Sequence, residues 1–311
     1  MSKQQNLLST AGKINAIEFK LQYRPEPLMT KTAFTVREMR EADLPICLEF
    51  TQQVKWPHRM GDWQLHFSQG NGSIIENAEG DIVGCILWWD YSQQLATVGL
   101  VVVPEHMQGN GLGRKLMDTV MSQTGERNLQ LVATVAGKRL YQQCGFEEAA
   151  LIYQVQGQLA GTVAPLSSDA SIQALDTNNL ADIIALDVAA YGCSRASLLT
   201  AVAQQGKGLV AYRDGKAVGY AMLRTSGHGQ TLGPVLADDD DTAKALISQL
   251  LTSETGFIRF DLTERAKAIQ PWLESLGLAQ VDEVSLMVKG EFVPAGGTGA
   301  KIYSLISQAF G

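Results

Sequence analysis

One order of apolar runs, glycines and caps passes along this chain twice, and that duplication limits the fold more than any single motif. In the first pass "FTVREM" alternates as a strand, and "READLPICLEFTQQ" places Leu44, Ile46, Cys47 and Phe50 as a helix would. "SIIENAEGDIVGCILWWD" gives two strands around Glu79-Gly80-Asp81. A long strand "QLATVGLVVV", a helix "GLGRKLMDTVMSQTG", a strand "LQLVATV", a short helix "GKRLYQQCG" and a strand "AALIYQVQG" follow. After the small-residue linker "GQLAGTVAPLSS" the order restarts with "SIQAL" and the helix "NNLADIIALDVAA". A hairpin around Asp214-Gly215, a strand, a helix, a strand, a helix and a last strand complete it. Gly219 in "AVG" follows Gly84 in "IVG" by 135 positions, and Gly277 in "LGL" follows Gly145 in "CGF" by 132. Two copies at domain length mean a tandem duplication. Hairpins followed by strand-helix-strand crossovers predict an α/β chain (α+β mixed sheet) with helices on both faces. The expected boundaries are an N-terminal extension over 1–32, poorly ordered, a first domain over 33–157, a linker over 158–165 and a second domain over 166–311.

A net charge of −7 argues against nucleic acid as the partner. Four separated cysteines without CxxC spacing argue against a disulfide framework or a zinc site, and four histidines make a metal centre improbable. The apolar stretches are short or interrupted by Gln, Gly and Pro, so no membrane span is expected. The first residues carry no apolar signal region. These features predict a soluble cytoplasmic protein, with oligomeric state open.

The distinctive short stretch is "PEHMQGNGLGRK", residues 104–115. A nucleoside-triphosphate loop needs GxxxxGK and a Ser or Thr, and here Gly113 is followed by Arg114-Lys115-Leu116. A dinucleotide loop needs GxGxxG and an acid about 20 residues on, but the next strand ends at Thr134-Val135. The sequence Gln108-Gly109-Asn110-Gly111-Leu112-Gly113, after "GLVVVPEH", resembles the pyrophosphate loop of the GNAT superfamily of acyl-CoA N-acyltransferases. That signature is Gln or Arg, two residues, Gly, any residue, then Gly or Ala, between a long strand and a helix. "GKRLYQQCGF" resembles the family's second signature. The chemistry matches the residue types. Unpaired N–H groups at a helix start bind anions, and glycines let that backbone come close to a pyrophosphate.

The resemblance implies two tandem GNAT folds, acetyl-CoA as co-substrate and no metal. It assigns the cofactor to Leu100, Val101 and Val102 on the long strand and to Gln108, Gly109, Asn110, Gly111, Leu112, Gly113 and Arg114 in the loop. Thr134 stands where the family often has an asparagine that contacts the cofactor. Tyr141 would be the general acid that protonates the departing thiolate. The long strand carries no acid, so the base is Asp90, with Asp62, His58, His106 and a water relay as alternatives. "VKWPHRMGDWQ" would cover the acceptor, giving Trp56, His58, Asp62 and Trp89 as substrate contacts. An aromatic, mildly acidic pocket fits a cationic amine. "YGCSRASLL" and "KIYSLISQAFG" look similar to features of a tandem-domain bacterial subgroup. The function implied is acetyl transfer to a primary amine of a small molecule by direct attack in a ternary complex. The alternative is a non-catalytic CoA-binding sensor or interaction module.

The second copy departs from this pattern. Asp238 to Asp241 stand where the loop should be and would repel a pyrophosphate. Pro271-Trp272-Leu273 replace Leu140-Tyr141. The second domain is expected to be a degenerate one that no longer binds CoA.

Overall fold

The first copy contributes β1 (Thr35–Glu38), α1 (Leu44–Gln53), α2 (Met60–Ser68), β2 (Asn71–Glu76), β3 (Ile82–Asp90), β4 (Leu95–Val102), α3 (Leu112–Thr124), β5 (Asn128–Ala133), α4 (Val135–Gln143) and β6 (Glu147–Gln158). The second contributes β7 (Ser171–Ala174), α5 (Leu180–Tyr191), α6 (Ala196–Gln204), β8 (Gly206–Arg213), β9 (Lys216–Ser226), β10 (Gly229–Ala237), α7 (Asp240–Leu251), β11 (Phe257–Thr263), α8 (Gln270–Ser275), β12 (Ala279–Lys289) and β13 (Lys301–Ser304). This computed structural model describes residues 33–291 and 299–311, so the expectation for 1–32 lies outside the described residues.

All these strands join one mixed sheet of 13, ordered β1-β2-β3-β4-β5-β12-β6-β11-β13-β10-β9-β8-β7. The copies exchange strands at its centre. β12 lies between β5 and β6, pairing Met287 with both Leu131 and Glu148. β6 lies between β12 and β11, pairing Ile152 with both Val284 and Thr263. The boundary at residue 157 therefore falls inside a strand that both copies use, and residues 33–311 form one compact unit.

Strands buried on both faces read as continuous apolar runs, as β3 does. Its Cys85, Leu87 and Trp89 pack with α1 and α2, while Ile86 and Trp88 pack with α3 and α4. A third cluster joins α7 and α8 to β6, β10 and β11. Two elements differ from the sequence expectation. α2 occupies a stretch read as a connection, because its only start signal is Asp62 accepting from the Arg59 N–H at 2.8 Å. β13 is a strand of four residues whose partners lie far away in sequence.

Candidate functional site

β4 and β5 run parallel only as far as Thr97 opposite Gln130. Beyond that level β5 pairs with β12 through Ala133, and β4 bulges against β3 between Gly99–Leu87 and Val102–Cys85. Leu100 lies in the bulge with φ at 51°, a conformation that costs a branched residue and marks a re-aimed backbone. The two strands thus open a V whose β4 edge has no partner on the β5 side among the described residues. Leu100 and Val102 pack toward α1 and α2, and Val101 packs toward α3. Their side chains hold the strand, and their backbone faces the V. Val135 begins α4 beside the end of β5 and is 85% exposed, leaving apolar surface for a ligand to cover.

The glycine loop runs from the end of β4 into α3. Gly109 and Gly111 have φ of 81° and 76°, and Gly111 is the residue that caps α3. A Cβ at either position would meet nothing within 4 Å, so the protein leaves that space open. The N–H groups of Gly109, Asn110, Gly111, Leu112 and Gly113 have no acceptor among the described residues. Five free donors at a helix start, with no side chain in the way, fit a pyrophosphate. The loop's own side chains fix its shape. Gln108 Nε2 donates to the Val103 carbonyl at 3.0 Å, and Asn110 Nδ2 to the Met107 carbonyl at 3.0 Å. Arg114 pairs with Asp118 at 2.7 Å and reaches the Gln143 carbonyl at 2.9 Å, which ties α3 to α4. Lys115 donates to the Phe34 carbonyl. Thr134, in the asparagine's place, caps α4 by accepting from the Gly137 N–H.

Tyr141 lies on α4, in the cluster that includes Leu112, Leu116 and Phe146. A Cβ on Gly137 would come 2.9 Å from its ring, so the glycine makes room for it. Burial holds its hydroxyl well above the usual phenol range, so it stays protonated at neutral pH. The hydroxyl has no hydrogen-bond partner among the described residues, yet it is not among the fully enclosed polar atoms. The ring is packed and the proton is left accessible.

Asp90 does not join this site. It pairs in register with Ala96, four residues before Leu100, or about 13 Å away along the strand. Its carboxylate is engaged by Asn71 at 3.3 Å and Arg127 at 3.7 Å. A hairpin strand that ends opposite the start of β4 cannot bring its last residue to the bulge. His106 is exposed in the turn before the loop.

The expected substrate residues come together behind β3. His58 lies 5.9 Å from Trp56 and 5.9 Å from His66, centroid to centroid, and His66 lies 5.7 Å from Trp89. Trp89 is fully buried and donates to the His66 carbonyl at 3.0 Å. The pocket is not acidic as expected. Burial raises the Asp62 carboxyl, but the Arg59 and Gly227 N–H groups and the Ser226 side chain outweigh this and hold it below the usual range. Its Oδ2 both caps α2 and accepts from the β9–β10 turn. The groups left without partners here are basic: His58, His66 and, from the second copy, Arg224. The sequence reading missed His66 and Arg224. For His66 a signal existed, its spacing of four from Asp62; for Arg224 there was none.

Segment 301–311 closes this region. Phe310 is fully buried, stacked on His66 at 4.4 Å and edge-on to Trp89 at 4.8 Å. The Tyr91 hydroxyl donates to the Phe310 carbonyl at 2.6 Å, and Arg195 donates to the Gly311 carbonyl at 2.8 Å. Arg195 is itself held by Asp187 at 2.7 Å, and Tyr220 donates to the same carboxylate at 2.6 Å. The two similar stretches "YGCSRASLL" and "KIYSLISQAFG" are therefore in contact.

The corresponding V of the second copy is filled. β10 and β11 pair in parallel at Gln230–Ile258 and Thr231–Arg259, then part. β13 enters there, with Ser304 opposite both Val235 of β10 and Leu262 of β11. The helix start is filled too. Asp239 caps α7 by accepting from the Thr242 N–H at 2.7 Å. Arg213 pairs with Asp169, Asp238 and Asp239, and Asp240 is held by Arg265 and Tyr303.

The sequence matches two family profiles, each described as an acetyltransferase (GNAT) domain, over residues 70–148 and 183–302. It is 27% identical over 280 residues to the uncharacterised N-acetyltransferase YitH of Bacillus subtilis strain 168, covering 88% of this chain and 97% of that one. Among solved structures, a candidate acetyltransferase of Pyrococcus horikoshii aligns with a TM-score of 0.72 at 16% identity, over 89% of this chain and 96% of that one. A tandem GNAT protein from the clavulanic acid biosynthesis pathway aligns with a TM-score of 0.58 at 14% identity, over 84% and 100%. At these identities the structural likenesses speak for the fold. The chain belongs to the GNAT acetyltransferases and carries two GNAT domains in tandem. Its family transfers acyl groups from acyl-CoA. Among the described residues no helix is long and apolar enough to cross a membrane.

Proposed function

We propose that the first copy transfers acetyl from acetyl-CoA to a primary amine of a small molecule by direct attack in a ternary complex, and that the second copy holds no cofactor. The contrast between the two helix starts carries this proposal: free N–H groups at Gly109 to Gly113, a carboxylate cap at Asp239. In the first copy the loop N–H groups would hold the pyrophosphate, and the backbone of Leu100, Val101 and Val102 would pair with the pantetheine arm. A bulge N–H facing the thioester carbonyl would stabilise the charge that grows on its oxygen. The neutral amine bonds to the carbonyl carbon as the carbon–sulfur bond breaks. Tyr141 gives its proton to the departing thiolate, and the amine loses its proton to water. Asp90 is withdrawn as the base.

A panel of amines with acetyl-CoA, followed by release of free thiol, tests this. At least one amine should release thiol, and Tyr141→Phe should lower kcat roughly 100-fold while leaving acetyl-CoA binding unchanged. Binding without thiol release from any amine would favour the sensor instead.

A further inference from the structure

A buried polar cluster lies between the copies, and acetyl transfer as described does not use it. His58 and His66 come from the first copy, Arg224 from β9 of the second. The β9–β10 turn locks the two together, with the Gly227 N–H donating to Asp62 at 3.1 Å. Arg224 is 3% exposed. Its Nη2 donates to the Ile306 carbonyl at 3.0 Å, while Nε and Nη1 have no partner among the described residues. His58 Nδ1 and His66 Nε2 are also enclosed and unpaired. His66 Nδ1 lies 2.5 Å from the Asp62 carbonyl, so it carries the ring proton and Nε2 offers a lone pair.

Charged groups of both signs surround this cluster. Asp62 on α2 and Asp261 on β11 face it, with Arg59 and Arg259 beside them. Asp62 accepts through Oδ2 as described, and Asp261 accepts through Oδ1 from Arg259 at 2.8 Å and Gln308 at 3.0 Å. Burial drives the proton affinity of His58 and His66 down, to about 4 and about 3, so both rings are neutral at pH 7. Arg59 is 44% exposed, so what distinguishes the buried Arg224 is its two donors, Nε and Nη1, that meet no acceptor among the described residues. A guanidinium stays charged when buried, and buried donors without an acceptor are costly. The cluster also adjoins the catalytic V. The Trp89 ring that touches His66 would lie 3.1 Å from a Cβ on Gly99, next to the Leu100 bulge. A cleft of about 440 Å³, lined by Arg59, Gln64, Leu65, Gln205 and Thr225 but by none of the three cluster residues, opens to solvent at the same seam.

We propose that Arg224 receives a carboxylate carried by the acceptor, so that the substrate class is an amine that also bears a carboxylate. Arg224 supplies the two unpaired donors, and a donor on the ligand meets His66 Nε2. The second copy then serves the first as its specificity wall. The amine half of this inference rests on acetyl transfer in the first copy; the carboxylate half does not.

Two measurements on the full chain separate these halves. The first compares matched acceptors with and without the carboxylate: γ-aminobutyrate against propylamine, and lysine against 1,5-diaminopentane. The carboxylate-bearing member should have the higher kcat/KM, by roughly 100-fold, and Arg224→Gln should remove that preference, with the loss falling on the KM of the carboxylate-bearing member. The second follows Tm with propionate and glutarate as probes and no acetyl-CoA. Both should raise the Tm of the wild type and of Arg224→Lys, and neither that of Arg224→Gln. Without ligand, Arg224→Gln should melt no lower than the wild type, because it removes two buried donors that meet no acceptor among the described residues. If no amine is acetylated but the carboxylates still stabilise through Arg224, the site stands and acetyl transfer falls. Equal use of both members of each pair, with no Tm shift in the wild type, would mean that the cluster holds internal water only and would overturn the proposal. The wild-type arms decide this even if Arg224→Gln does not fold.

Discussion

Gly111 and Asp239 take corresponding places before a helix and have opposite effects. Gly111, at φ 76°, leaves the first N–H groups of α3 open, whereas Asp239 satisfies one at α7 with its own carboxylate. Gly111→Ala should cost about 1–2 kcal/mol, because a Cβ is strained in left-handed backbone. It should also weaken acetyl-CoA binding roughly tenfold or more by crowding the phosphates. Calorimetric titration reads the second effect, and unchanged affinity would show that the phosphates bind elsewhere. His58 and His66 give a prediction about pH. Their folded proton affinities lie below the unfolded value near 6.5, at about 4 and about 3, chiefly through burial. Between those values the unfolded chain binds more protons, so stability is full above pH 6.5 and falls as pH drops toward 4. Urea midpoints across this range should fall, and replacing both residues by Gln should flatten the curve.

Segment 301–311 works as an element in both copies. Its first part is β13, which fills the V of the second copy, and its last part places Phe310 against His66 and Trp89 of the first. Phe310→Ala should cost about 3–5 kcal/mol, since the ring is fully buried and stacked. A change in urea stability below 1 kcal/mol would mean that this packing does not hold. How far such elements were legible depended on where their signals lie. Glycine spacing at 109, 111 and 113 is local chemistry and located the loop in the sequence. Apolar runs such as "QLATVGLVVV" and "GCILWWD" located the central strands, because burial on both faces leaves no polar alternation to misread. α2 was missed because Trp63, Leu65, His66 and Phe67 form too short a run to establish a helical period. β13 was missed because a four-residue strand is defined by its partners, and those are Val235 and Leu262. Asp90 was misplaced because register, not proximity in sequence, decides where a strand end points.

At the scale of the whole molecule, duplication has made one body with two unequal sites. The exchange of β6 and β12 runs a single sheet through both copies, so each completes the other's core. That continuity fixes β9 and the 301–311 segment against α2. The pairing of β6 with β11 and of β12 with β5 could not be read from the sequence, since either strand would satisfy the same apolar pattern in either place. Only one of the two copies is proposed to bind acyl-CoA, and the stoichiometry of binding decides this. Titration of the full chain with acetyl-CoA in a calorimeter should give one molecule bound per chain. Gly111→Asp, which gives the first copy the second copy's carboxylate, should abolish that binding. Two molecules per chain, or one that survives Gly111→Asp, would mean that acyl-CoA binds outside the glycine loop of the first copy.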